Sequence, residues 1–155
     1  MADDGGGRPT EATENESLDE ALAAEHAAVW GYGVVGAALP PESRAPAAAA
    51  ETAHRDLRDR VTALLVERGA DPAPAQAAYQ LPFPVLSPVD AATLAVTLED
   101  GVAAAWVRVL AQAAERSTRE LAVRALSAGE LRAVSWRGAA GLTPVTTAFP
   151  GLPAE

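Results

Sequence analysis

Residues 70–87 read "ADPAPAQAAYQLPFPVLS", from Ala70 to Ser87. Four prolines fall inside this stretch, and a fifth, Pro88, follows it directly. Proline lacks the N–H that a helix interior or a central strand needs, so the stretch can be neither. Its 18 residues are also long for a helix–helix connection. Fully extended they reach up to roughly 60 Å. A helix of roughly 25 residues is only ~37 Å long. The stretch can therefore cross the whole length of a helical bundle, and Tyr79, Leu81, Phe83, Val85 and Leu86 give it side chains to dock.

The sequence on either side has helical periodicity. Leu18, Leu22, Glu25, Val29, Tyr32 and Leu39 recur at spacings of 4, 3, 4, 3 and 7, which places them on one helix face. Ser17 with Glu20 fits a capping box at the start, and Pro40-Pro41 stops the helix. A second helix is expected from a Ser43 cap to Gly69, with Ala47, Ala50, His54, Leu57, Val61, Leu64 and Leu65 on its apolar face. Its charge run (Asp56, Arg58, Asp59, Glu67, Arg68) reads as a solvated face. After the proline stretch, Ser87 as N-cap and Pro88 at N1 open a third helix carrying Leu94, Leu98, Val102, Trp106 and Val109. A break at Arg116-Ser117 leads to a fourth helix, from Thr118 to Arg137, which Gly138 is expected to end. No strand pattern competes. The fold expected is all-α, a ferritin-like four-helix bundle with a long proline-rich crossover between helices 2 and 3.

Composition narrows the function. The chain has 155 residues, with 21 Asp+Glu against 12 basic residues, all arginine, for a net charge of −9. Such acidity argues against nucleic-acid binding and against anionic membrane surfaces. Without cysteine there are no disulfides, thiolate chemistry or cysteine-held metals. No apolar run reaches the ~18 residues of a membrane span. Residues 1–16 are expected to form a disordered acidic tail and 17–155 the bundle, and the N-terminus has no basic, apolar leader. A cytoplasmic location is expected, and the alanine-rich helices suggest a homodimer.

"GYGVVG", residues 31–36, spells the dinucleotide fingerprint G-x-G-x-x-G. That loop needs a strand before it and a helix after it. Here a capped helix precedes it and no strand follows, so no phosphate loop is read. As helix interior, each glycine costs about 1 kcal/mol relative to alanine. Gly33 and Gly36 are expected to offset this by admitting a close neighbour, with Trp106 or Trp136 as candidates.

Polar residues on apolar faces mark the candidate site. Glu25 lies in the stripe Leu18–Glu25–Tyr32–Leu39. Glu51 and His54 form Glu-x-x-His, which projects both to one side of a helix and supplies metal ligands in di-iron and di-manganese carboxylate bundles. Glu99 lies 11 residues after Pro88, as His54 lies 11 after Ser43, so the two are level if helices 2 and 3 run parallel. Glu130 sits among Val123, Leu126 and Val134. Each helix thus offers a carboxylate at a similar height. Tyr32, His26 and Trp106 are expected around this pocket, and Gly129 marks a bend or a close contact. If a metal binds, oxygen-rich ligation with one imidazole suits iron or manganese.

Five runs together resemble a known family: "AEHAAVWGYGVVGA", "HRDLRD", "AYQLPFPV", "TLEDGVAAAW" and "WRGAAGLTPVTTAFPGL". Over residues 18–153 the chain is similar to an actinobacterial ferritin-like family of unknown function, DUF4439. The resemblance implies a ferritin-like bundle and no established activity. The wider ferritin-like pattern maps onto Glu25, Glu51 with His54, Glu99, and Glu130. The fourth helix departs from it, because Ala133 stands where a second histidine belongs. Arg132 lies beside it, and an arginine can replace a cation by pairing with the acids. Three readings stand: a degenerate, metal-free carboxylate–histidine site, an iron or manganese site with an oxidoreductase or iron-handling role, and a small-ligand or partner-binding bundle without metal.

Overall fold

Periodicity, proline and capping chemistry divide the chain as the sequence suggests. The computed structural model describes residues 8–153, in which four helices form: α1 (Glu11–Ala38), α2 (Ala45–Glu67), α3 (Pro88–Gln112) and α4 (Arg116–Ala139). Among the described residues there is no strand. Neither is any helix long and apolar enough to cross a membrane.

The start of α1 corrects the expectation. Thr10, not Ser17, is the cap: Thr13 N–H donates to the Thr10 hydroxyl oxygen, and Thr10 N–H donates to the Thr13 hydroxyl. Ser17 lies inside the helix and its hydroxyl donates to the Glu14 carbonyl at 2.8 Å, a back-bond that removes it from capping. The segment 11–16, expected in a disordered tail, is therefore helical. The first seven residues of that tail lie outside the described residues. Glu14 is fully buried. It pairs with Arg68 at 2.7 Å and accepts from the Thr118 hydroxyl and from Glu115 N–H, joining α1 to α2 and α4. Burial raises the pKa of this carboxyl, but those bonds and the Arg68 charge outweigh it and hold the group below the ordinary range.

Other ends shift by a few residues. Pro46 needs a place in a first turn, where its missing N–H does no harm. Accordingly α2 begins at Ala45, and Ser43 falls in a preceding turn of 3-10 helix, Pro41–Ser43. The helix ends as expected at Gly69, whose φ of +71° suits only glycine without strain. Ser87 caps α3 as expected, accepting from Asp90 N–H. In α4, Gly138 stays helical, and Gly141 (φ +70°) makes the turn.

Side-chain pairs fix helix direction. Glu20–Arg108, Glu25–Trp106 and Tyr32–Glu99 run α1 against α3. Asn15–Arg68 and Glu25–His54 run α1 against α2. Hence α2 and α3 point the same way. Residues 70–87 form no helix between them. The Ala73 N–H donates to Asp19, the Tyr79 ring lies 5.8 Å from that of Trp30, and Leu81, Phe83 and Val85 pack near Tyr32 and Leu94.

Two apolar layers fill the bundle. One holds Leu18, Leu22, Val61, Leu65, Trp106 and Leu121. The other holds Tyr32, Val35, Leu94, Ala95 and Trp136. Close helix approach falls at Gly31, where a Cβ would lie 2.6 Å from Leu98 Cδ1. It does not fall at Gly33 or Gly36, where a Cβ would meet nothing within 4 Å. The tryptophan contact expected at Gly33 or Gly36 is thus replaced by a leucine contact at Gly31.

Because Glu14 anchors three helices from inside the bundle, Glu14→Ala should cost about 3–5 kcal/mol in urea unfolding, the range for breaking a buried ion pair. A loss below about 0.5 kcal/mol, the scale of an ordinary surface substitution, would return residues 11–16 to a loose tail.

Candidate functional site

Between the two apolar layers lies one polar layer. Glu25, His54 and Glu99 are fully buried, and every helix reaches them. The His54 Nδ1 lies 2.7 Å from Glu25 Oε2 and its Nε2 lies 3.2 Å from Glu99 Oε1. Trp106 Nε1–H donates to Glu25 Oε1 at 2.7 Å. The Tyr32 hydroxyl donates to Glu99 Oε1 at 2.6 Å, and its ring stacks on His54 with centroids 5.3 Å apart. From α4, Arg132 grips Glu99 with two donors, Nε at 2.7 Å and Nη2 at 3.1 Å.

The donor count sets the charges. Trp106, Tyr32 and Arg132 aim N–H or O–H groups at two carboxylates, and both ring nitrogens of His54 face carboxylate oxygens. A carboxylate is acceptor-only when ionised, and a doubly protonated imidazole is donor-only. Protonated His54 and Arg132 against ionised Glu25 and Glu99 leave the layer electrically neutral. Burial pulls the His54 pKa down, but its bonds to Glu25 and Glu99 outweigh this and push it up to about 9. Burial raises the Glu99 carboxyl, and His54 and Arg132 reverse that to hold it low. Burial first, then the Glu99 charge, pushes the Tyr32 phenol far above its ordinary range. No buried side-chain nitrogen or oxygen among the described residues lacks a partner.

Gly129 faces this pairing from α4. A Cβ there would sit 3.4 Å from Glu99 Oε2 and 3.7 Å from Arg132 Nη2. Those distances are ordinary van der Waals contact, so the tight approach expected at this glycine is not what the packing requires there.

Two expected members stay out of the layer. Glu51 turns outward and pairs with Arg55 one helical turn later. Glu130 pairs with buried Arg137, which also bonds Asp100 and the Val145 carbonyl. His26 faces the 70–87 segment, its Nε2–H donating to the Ala73 carbonyl at 3.1 Å. Tyr32 and Trp106 do reach the centre, as polar donors and not only as walls. These positions do not suit a divalent metal: both His54 nitrogens and the Glu25 and Glu99 oxygens are engaged, and a guanidinium already faces Glu99. Among the described residues, no group of three or more His, Asp or Glu is placed to hold a metal ion.

Comparison with known proteins agrees with this architecture. The model of a family described as a domain of unknown function, DUF4439, matches residues 17–154. The chain is similar to a solved structure, the crystal structure of a conserved hypothetical protein, rv2844, from Mycobacterium tuberculosis. That similarity has a TM-score of 0.81 and 40% identity, over 83% of this chain and 98% of the other. No curated protein matches.

The charge state makes stability depend on pH. The folded protein holds the His54 proton up to about pH 9, whereas an unfolded chain releases it near 6.5. The stabilisation is therefore complete below about pH 6.5, declines above it, and is gone past about 9. Its size is on the order of 3 kcal/mol. Urea unfolding of the wild type and of His54→Gln, at about pH 6 and about pH 9.5, should show that loss in the wild type only. Equal slopes in the two proteins would remove His54 from the account.

Proposed function

The chain belongs to the DUF4439 family, and from that premise we propose a ferritin-like helical bundle whose centre is a degenerate carboxylate–histidine site closed by arginine, with no metal cofactor. The observation that carries this is the two-pronged grip of Arg132 on Glu99. A guanidinium and a divalent ion answer the same need, positive charge beside a buried carboxylate. The guanidinium is covalently tethered and always charged. With Ala133 in place of a second histidine and Glu51 and Glu130 turned to arginines, few free donors are left for an ion. On this reading the core is structural and the protein works through its surface, as a binding or scaffolding bundle. The homodimer and the cytoplasmic setting without nucleic acid belong to the same proposal. Exposed Val123 and Leu131 on α4 supply apolar surface for a second copy.

Untagged protein grown with added iron, manganese or zinc should retain less than about a tenth of an equivalent of each. The same preparation should sediment as a dimer. Stoichiometric metal that is lost in a Glu25→Ala, His54→Ala double variant would overturn the metal-free centre, and a strictly monomeric species would overturn the dimer.

A further inference from the structure

Each glycine inside α1 weakens the helix relative to alanine. Leu98 accounts for Gly31. Nothing in the fold accounts for Gly33, since a Cβ there would meet no atom within 4 Å. The space above Gly33 belongs to a surface groove of about 330 Å³ between α1, α2 and residues 75–79. On α1, His26, Trp30 and Gly33 form one stripe at i, i+4 and i+7. On α2, Glu51, Arg55 and Arg58 form another with the same spacing. Glu51 and His26, which the sequence places at the core, stand here instead.

The groove has two kinds of wall. One is aromatic: Trp30 and Tyr79, 5.8 Å apart and tilted by 52°, with the Tyr79 hydroxyl fixed by Gln76 N–H. The other is cationic. Among the described residues the Arg55 guanidinium is held only by Glu51, one turn away on its own helix, and that of Arg58 only by its neighbour Asp59. Exposed pairs of this kind contribute little to stability, so an incoming anion exchanges into them at little cost. Guanidinium forks match carboxylate and phosphate oxygens. The His26 ring is oriented by Ala73, and its Nδ1 has no protein partner among the described residues. The volume lies at the small end of ligand sites, which run from about 300 to 1,000 Å³.

We propose that this groove binds a small planar aromatic molecule bearing one anionic oxygen group, a carboxylate or a phosphate. Its ring lies against Trp30 and Tyr79 over Gly33, and its anion sits on Arg55 and Arg58. The site is separate from the buried layer and does not depend on how that layer is read.

Titration calorimetry on the full chain tests this with four probes: indole-3-acetate, adenosine monophosphate, neutral indole and acetate. At least one of the two anionic rings should bind saturably with a Kd below about 1 mM, and indole and acetate at least about tenfold more weakly. The tighter of the two anionic rings identifies the source of the anion as carboxylate or phosphate. Gly33→Leu fills the floor while improving helix propensity, so it should keep its melting temperature and lose at least about tenfold in affinity. An Arg55→Gln, Arg58→Gln double variant should lose as much and decides the matter if Gly33→Leu does not fold. No saturable binding of either anionic ring up to about 10 mM would overturn the proposal, as would equal binding of neutral indole or unchanged affinity in folded variants.

Discussion

The Glu99 carboxylate governs this bundle. It lies on α3 with almost no solvent contact, where an unpaired charge costs several kcal/mol. That cost is offset only if α1 brings the Tyr32 hydroxyl, α2 brings His54 and α4 brings Arg132. Glu25 extends the same demand through His54 and Trp106. A slip of one turn in any helix moves a partner by ~5.4 Å and strands a charge. The apolar layers on either side, filled largely by alanine, leucine and valine, tolerate rearrangement better. The polar layer therefore gives the bundle its register, and the apolar layers give it most of its stability.

The absence of lysine fits this design. Arg68, Arg132 and Arg137 all reach inward to carboxylates; Arg68 and Arg137 each bond more than one residue, and Arg132 holds Glu99 with two donors. A planar fork with five donors can do this, whereas a compact ammonium is more strongly hydrated and harder to bury. Glu14 with Arg68 near one end and Arg137 with Asp100 and Glu130 near the other repeat the pattern of the centre.

What the sequence reveals is whatever is local or periodic. The stripes, the proline stretch, the Ser87 cap and the similar heights of Glu25, His54 and Glu99 are all legible, because a 3.6-residue repeat and a loop length fix them. Partner choice across the fold is not. Ser17 with Glu20 reads as the cap, and only Arg68, far along the chain, draws Glu14 inside and extends α1 back to Thr10. Glu51 and His54 share a helical side, yet lie about 60° apart around the axis, enough for Arg55 to claim Glu51. Glu130 is lost in the same way to Arg137. Likewise, which of three closely spaced glycines meets a neighbour depends on helix rotation, and a periodic pattern fixes that only to within tens of degrees. Read this way, "GYGVVG" combines a packing glycine, a tyrosine that bonds the buried acid, and a glycine that opens onto a groove.

Ring-nitrogen NMR of His54 tests the neutral, four-helix charge layer most directly. In ¹⁵N-histidine-labelled protein, assigned by comparison with His54→Gln, both His54 nitrogens should be protonated at neutral pH, with the transition centred near 9. A singly protonated His54 ring at neutral pH, titrating below about 6.5, would contradict the charge balance on which the account rests.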